Sequence, residues 1–220
     1  MTPALHAGGQ GFESLWVHSF FMTTIAILDY GVGNLRSVSR GLAAAGCTPV
    51  ITNSQEVIHA ADGILLPGVG AFGEGMKKLL PLIPLLKEEI EDKPLLGICL
   101  GMQMLLEGSE EHGFNEGLSL IPGQIRLFPK SVGKIPHMGW NTIYPANHPL
   151  FDDVESGTYV YFVHSYYADT TPEYSIAETE YGIRYSSAVA CGNVMGTQFH
   201  PEKSGEDGLR ILSNFVSLCE

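Results

Sequence analysis

The sequence predicts an α/β fold: a mainly parallel central sheet flanked by helices, with additional antiparallel strands in the C-terminal half. Three observations predict it. In the first half, short β-rich runs alternate with glycine turns and helix-forming stretches, as in a parallel sheet covered on both faces. In the second half, β-like runs follow one another, several joined by short glycine turns that favour hairpins. Between the halves, the apolar run Leu95–Ile98 enters Cys99 between Gly97 and Gly101, a pattern that suits a sharp strand-to-helix turn.

Taken in order, Thr24–Asp29 is a strand, Asp29-Tyr-Gly-Val-Gly-Asn34 a turn, and Leu35–Ala45 a helix ending at Gly46. Pro49–Thr52 and Gly63–Leu66 are strands, the second followed by Pro67-Gly-Val-Gly-Ala-Phe72. Glu74–Glu91 is helical in composition, broken or kinked at Pro81 and Pro84. Leu95–Ile98 is a strand and Leu100–Gly108 a helix. Then come the β-like runs Leu118–Phe128, Trp140–Tyr144, Thr158–Tyr167, Ser175–Glu180, Arg184–Ala190 and Val194–Phe199, and a closing helix near Glu206–Leu218. With no internal repeat or low-complexity linker, residues 22–220 form one domain.

Residues 1–21 differ from the rest. They are Gly-rich with isolated aromatics and contain no Lys or Arg. They have neither the basic start nor the apolar centre of a secretory signal, and are expected to be a poorly ordered extension, with Met22 the natural beginning. The net charge of −12 argues against a nucleic-acid partner, because phosphate binding needs clustered Lys and Arg. No run is apolar enough to span a membrane. The four cysteines are scattered without C-x-x-C pairing, which fits a reducing cytoplasm and no zinc site; no metal or cofactor is expected.

Cys99 carries the chemistry. A side chain displayed on so sharp a turn needs neighbours without a clashing Cβ two residues away on each side. The helix starting at Leu100 turns its positive end to the sulfur, which favours the thiolate, and the Leu100 N–H faces any oxyanion formed there. A cysteine nucleophile also needs a base and an orienting group. In Gly196-Thr-Gln-Phe-His-Pro-Glu-Lys-Ser204, His200 and Glu202 are two residues apart, so in an extended chain both point to one side. Glu202 then bonds one imidazole nitrogen and leaves the other for Cys99.

Each feature also has a plainer reading: a buried cysteine is usually an inert small hydrophobe, and a histidine at a strand end is usually structural. Their joint occurrence in one α/β chain favours catalysis. His59, His112 and His148 lack such context and are read as solvated. The Pro67-Gly-Val-Gly70 turn sits where adjacent strand ends converge, and the Val69 N–H is a candidate second oxyanion donor, with Gly70 beside it; the same segment also reads as a plain βα turn. The Gly31-Val-Gly33 stretch is not a dinucleotide fingerprint, since Arg36 stands where a third glycine is needed.

Together these motifs resemble a class I (triad-type) glutamine amidotransferase, from about Thr24 to the C-terminus. G-I-C-L-G-M-Q at 97–103 and H-P-E at 200–202 carry that resemblance. DYGVGN at 29–34, PGVGAF at 67–72, PHMGWN at 136–141, YFVHSY at 161–166 and GTQFHPEKS at 196–204 narrow it to the glutaminase-subunit family of imidazole glycerol phosphate synthase.

The resemblance implies a flavodoxin-like fold, a Cys99–His200–Glu202 triad and an oxyanion hole of Leu100, Val69 and Gly70. It implies that Gln103, Glu111, His164, Ser165 and Tyr166 hold the substrate glutamine, and that Asn34, Trp140, Tyr161 and Lys203 face a partner. Val32 stands where some relatives carry proline, which leaves the contacts of that first turn with the partner open. The implied partner is a (β/α)₈ cyclase subunit, forming a heterodimer and receiving ammonia to make imidazole glycerol phosphate and aminoimidazole carboxamide ribotide in histidine biosynthesis. Three alternatives share the elbow and H-P-E: the glutaminase subunit of another synthase, such as anthranilate synthase; a stand-alone γ-glutamyl hydrolase; and a degenerate, purely regulatory binding module.

Overall fold

A computed structural model describes residues 22–220; the expected N-terminal extension lies outside the described residues. The chain begins with strand β1 (Thr24–Leu28), in which every residue from Ile25 to Leu28 is buried. Ile25 and Ile27 face one core while Ala26 and Leu28 face another, the period-two alternation of a strand covered on both sides. Helix α1 (Leu35–Ala44) follows, N-capped by the Asn34 side chain, which accepts from the Ser37 N–H. Strand β2 (Thr48–Thr52), helix α2 (Gln55–Ala60) and strand β3 (Gly63–Leu66) come next. Helices α3 (Phe72–Leu79) and α4 (Ile83–Glu89) are separated by a single 3₁₀ turn at Leu80–Leu82, as Pro81 demands. Strand β4 (Leu95–Ile98) then leads through Cys99 into helix α5 (Leu100–Leu105).

The second half contains strands β5 (Gly108–Ser109), β6 (Asn115–Glu116), β7 (Gln124–Leu127), β8 (His137–Pro145), β9 (Thr158–His164), β10 (Tyr166–Asp169), β11 (Ser175–Glu180), β12 (Arg184–Cys191) and β13 (Val194–Thr197). Helix α6 (Gly205–Leu218) closes the chain. The main sheet runs β2-β1-β3-β4-β13-β12-β10-β7-β5-β6, parallel from β2 through β13 and largely antiparallel beyond. The β8–β9 hairpin joins it through β11. Helices α1 and α6 cover one face, packing Val38, Leu42, Ile211, Leu212 and Phe215; α3, α4 and α5 cover the other with Phe72, Leu79, Leu86, Leu100 and Met104. No helix among the described residues is long and apolar enough to cross a membrane.

Three sequence expectations change. The helix after Cys99 stops at Leu105, not Gly108, because the N–H groups of Leu118, Leu120 and Ile121 bond to the carbonyls of Met104 and Leu105 that a further turn would have used. For the same reason residues 118–121 are a loop, and strand β7 starts only at Gln124. The expected run Thr158–Tyr167 divides at Ser165: β9 pairs with β8, whereas β10 pairs with β7 and β12. Helix α2, at six residues, is too short to show a 3.6-residue period and was not foreseen.

The decisive topological fact is the place of β13. The last strand of the chain inserts beside β4 in parallel, with Gly196 opposite Gly97 and Thr197 opposite Ile98. The residues just beyond each strand therefore meet at one edge of the sheet, where ligands bind in parallel α/β proteins.

Candidate active site

Cys99 sits at the apex of the turn with φ 55° and ψ −110°, in backbone space that only glycine enters freely. The flanking glycines are sterically required. A Cβ on Gly101 would lie 1.9 Å from the Leu66 carbonyl oxygen, and one on Gly97 would lie 2.7 Å from the Met102 nitrogen. The Pro67–Gly70 turn packs directly on the elbow: a Cβ on Gly68 would stand 2.6 Å from the Gly101 nitrogen.

His200 and Glu202 follow β13. His200 Nδ1 bonds Glu202 Oε1 at 2.9 Å, and their side chains are only 3% and 1% exposed. The His200 N–H donates to the Tyr161 carbonyl at 2.9 Å and so fixes the main chain. His200 Nε2 is buried and makes no hydrogen bond among the described residues. Burial would depress the imidazole pKa, but the neighbouring Cys99 sulfur and the Glu202 carboxylate outweigh it and hold the pKa up at about 9.

Cys99 and His200 open into one cavity of about 320 Å³. Val69, Gly70, Leu100, Gln103, Glu111, His164, Ser165 and Tyr166 all line it, so sequence-separated candidates converge on a space suited to a small amino acid. Leu100 is the first residue of α5, where the N–H has no intrahelical acceptor. Glu111 Oε2 accepts the N–H of Phe72, the first residue of α3. This carboxylate thus ties the cavity wall to the segment that follows the Pro67–Gly70 turn. Gln103 Nε2 donates to Gln198 Oε1 at 3.0 Å and to the Tyr166 carbonyl at 3.3 Å.

Trp140, Tyr161 and Lys203 form a separate group. Trp140 and Tyr161 are cross-strand partners with ring centroids 6.1 Å apart, and Lys203 Nζ stands 5.8 Å from the Tyr161 ring centre. Trp140 is 56% exposed, a large apolar side chain left open to a neighbour. Asn34 is exposed and uses its side chain to cap α1.

Sequence reasoning passed over several residues here. Pro136 and Val163 complete the cavity wall. Gln198, fully buried, points its Nε2 at the Cys99 sulfur at 3.8 Å. Tyr30 is buried and its hydroxyl donates to the Pro67 carbonyl, linking the first glycine turn to the second. Burial, with Cys99 nearby, pushes its pKa up. Gln198 and Tyr30 both lie inside quoted motifs, but an uncharged side chain gives no sign in the sequence of pointing inward. Of the three histidines read as solvated, His59 bonds Glu89 while its side chain stays 78% exposed, and His112 is exposed. His148 departs from that reading: it is half-buried and accepts the Leu150 N–H, and burial lowers its pKa.

The sequence profile of the family glutamine amidotransferase class-I matches residues 26–219. The chain belongs to the class I glutamine amidotransferases. As a class I amidotransferase it is 55% identical over 202 residues to the imidazole glycerol phosphate synthase subunit HisH of Methanosarcina acetivorans, covering 90% of this chain and 100% of that one. It is 50% identical over 199 residues to the protein of the same name from Archaeoglobus fulgidus, covering 89% and 99%. Its fold is similar to that of PurLQS from Thermotoga maritima, with a TM-score of 0.70 at 16% identity, covering 90% of this chain and 100% of that chain. A glutamine amidotransferase from Thermotoga maritima gives a TM-score of 0.57 at 17% identity, covering 82% and 76%. At such identities the two structures speak for the fold, which is the flavodoxin-like arrangement implied by the sequence.

Proposed function

We propose that this amidotransferase is the glutaminase subunit of an imidazole glycerol phosphate synthase, with Cys99, His200 and Glu202 as its triad. Glutamine is hydrolysed to glutamate and ammonia, and ammonia passes to a (β/α)₈ cyclase subunit bound as a heterodimer. The observation that carries the chemistry is the opening of Cys99 and His200 into a single cavity, with Glu202 behind the imidazole. The choice of synthase is supported by relatives about half identical over nearly their whole length. Four cysteines without a disulfide among them fit a cytoplasmic setting.

In the first step the Cys99 thiolate attacks the side-chain amide carbon. The developing oxyanion is received by the Leu100 N–H and by a second donor from the Val69–Gly70 turn. The imidazolium of His200 protonates the leaving nitrogen, ammonia departs, and a γ-glutamyl thioester remains. His200 then takes a proton from water, whose oxygen attacks the thioester carbon, and glutamate leaves as Cys99 regains its thiolate. Glu111 accepts the substrate ammonium, and the 163–166 corner bounds its other side. Each oxyanion donor typically contributes about 2.7–4 kcal/mol, so a Val69 peptide turned away costs roughly a hundred- to a thousandfold in rate. That is enough for the partner to switch hydrolysis on by reorienting one peptide.

The test is to measure glutamate release by the isolated chain, by the chain with a cyclase, and by the complex with the cyclase ligand. Slow release alone and strong stimulation by the loaded partner are expected. Equal rates in all three would overturn the assignment to a synthase, and hydrolysis surviving Cys99→Ala would overturn the nucleophile.

A further inference from the structure

A chain of hydrogen bonds runs from a partly exposed end on strand β8 through buried side chains to the Cys99 sulfur, and its donors and acceptors are fixed by backbone groups. At the outer end, Asn141 Oδ1 accepts the Thr142 N–H at 2.8 Å and its Nδ2 donates to the Glu180 carbonyl at 3.0 Å. A backbone N–H only donates and a carbonyl only accepts, so this amide cannot be reversed. Its Nδ2, 3.3 Å from His137 Nε2, must donate there. His137 Nε2 is therefore bare and Nδ1 carries the proton.

The same reasoning holds from the inner end. His164 Nδ1 lies 2.7 Å from the Tyr166 carbonyl and so must carry a proton, leaving its Nε2 as an acceptor. His137 Nδ1, His164 Nε2 and the Tyr185 hydroxyl stand 3.1–3.2 Å from one another. Two protons and two acceptors satisfy that triangle: Tyr185 donates to His164, and His137 donates to the Tyr185 oxygen. The Tyr166 carbonyl also accepts from Gln103 Nε2, which fixes the Gln103 amide. Gln103 Nε2 then donates to Gln198 Oε1, and Gln198 must turn its own N–H₂ to Cys99 Sγ. The thiol donates to the Val163 carbonyl at 4.0 Å, whereas the thiolate gains a donor from Gln198.

We propose that Gln198 and His137 are positioning residues of one connected chain, Asn141–His137–Tyr185/His164–Tyr166–Gln103–Gln198, that presents an N–H to the Cys99 thiolate. Neither side chain is part of the triad or of the oxyanion donors. Adding a proton to either imidazole sets two N–H groups against each other, so the chain exists only with both rings neutral. The rings are also packed for it: His137 is stacked between Tyr181 and Phe162, with centroid separations of 4.0 and 4.7 Å. The inference uses the proposed role of Cys99 but not the identity of the substrate or the partner.

The test is alkylation of Cys99 by iodoacetamide against pH, followed by mass spectrometry of the Cys99 peptide because Cys191 is exposed. It needs neither glutamine nor cyclase, so it separates failure of this inference from failure of the glutaminase assignment. Gln198→Leu is expected to slow alkylation at pH 7 by about tenfold, the scale of a bond to a charged acceptor, and to move the profile to higher pH. His137→Phe is expected to slow it by about threefold. The double variant should match Gln198→Leu alone, since the chain is already cut. An additive double variant, or an unchanged His137→Phe profile, would overturn the connection. Nitrogen-15 spectra of the unaltered protein give a check that does not depend on variants folding: both His137 and His164 should be neutral at pH 7 with the proton on Nδ1. The opposite tautomer in either ring would overturn the chain.

Discussion

The backbone N–H of Cys99 donates to the carbonyl oxygen of Thr197 at 2.7 Å. This bond joins the residue just past the end of β4 to the last residue of β13, continuing the ladder between them, and it holds the two segments that carry Cys99 and His200 side by side. Cys99 then turns away into α5 while the chain after Thr197 runs on through Gln198 and Phe199 to His200. The proposed nucleophile and base are thus placed by sheet register rather than by flexible loops, which suits a pair that must hold a fixed separation.

The strained backbone at Cys99 has a measurable cost. A side chain at φ 55°, ψ −110° typically costs about 1–3 kcal/mol, whereas glycine relieves that strain and loses about 0.5–1 kcal/mol in chain entropy. Both Cys99→Gly and Cys99→Ala should lack glutamine hydrolysis. Urea unfolding should find the glycine variant more stable than the alanine variant by about 0.5–2 kcal/mol, the reverse of their order at an ordinary position. An alanine variant more stable than the glycine one by about 0.5–1 kcal/mol, the order at an ordinary position, would show that the turn stores no strain.

Much of this was legible in the sequence because it rests on local rules. Gly97 and Gly101 announced the elbow, since a Cβ at either would strike backbone atoms. The two-residue spacing of His200 and Glu202 announced their bond. What the sequence did not reveal depends on distant segments. Helix α5 ends early because residues 118–121 reach back to its carbonyls, and the corner at Ser165 exists because β9 and β10 have different partners. Gln198, whose side-chain amide reaches the sulfur, looks in the sequence like any other uncharged polar residue.

Glu202→Gln isolates the electrostatic part of the proposed triad. Glutamine keeps the volume and one acceptor oxygen for His200 Nδ1 but removes the charge that helps hold the imidazole pKa at about 9. The expected loss in kcat/KM is roughly 10²–10⁴-fold, the range for disturbing the orienting group of such a triad. The activity limb governed by His200 should also move to lower pH, because the cationic ring has lost its partner. A fall in rate with that limb unmoved would assign Glu202 an orienting role without an electrostatic one.

In the proposed site Glu111 divides its carboxylate between the Phe72 N–H and the substrate ammonium, and two substitutions separate the two tasks. Glu111→Gln keeps an acceptor for the Phe72 N–H but offers no charge to a substrate ammonium. It should raise KM for glutamine by about tenfold or more, the scale of one charge-assisted bond, with a smaller effect on kcat. Glu111→Ala also uncaps the start of α3 and should lower kcat in addition, with faster hydrogen exchange at the Phe72 amide. Equal kcat in the two variants would show that the Phe72 bond does not reach the reaction.

The buried histidine pair predicts a stability loss on mild acidification. Burial lowers the pKa of His137 to about 4 and, helped by repulsion from His137 and His200, that of His164 to about 3. An unfolded histidine titrates near 6.5. Between roughly pH 6.5 and pH 4 the unfolded chain therefore binds protons that the native pair refuses. Stability contributed by neutral burial is complete above pH 6.5 and is lost as pH falls toward the native values. His200 acts in the opposite sense, since its raised pKa favours the native state below 6.5 and is lost as pH rises toward about 9. The cleanest window is pH 5–6.5, above most carboxylate titration. Urea denaturation there should show stability falling with acid, at up to about 1.4 kcal/mol per pH unit for each histidine. In His137→Phe the slope should be shallower by about one histidine's share, whatever the variant's absolute stability. An identical slope would mean that His137 is protonated in the folded protein across that range, and the neutral pairing with His164 would have to be abandoned.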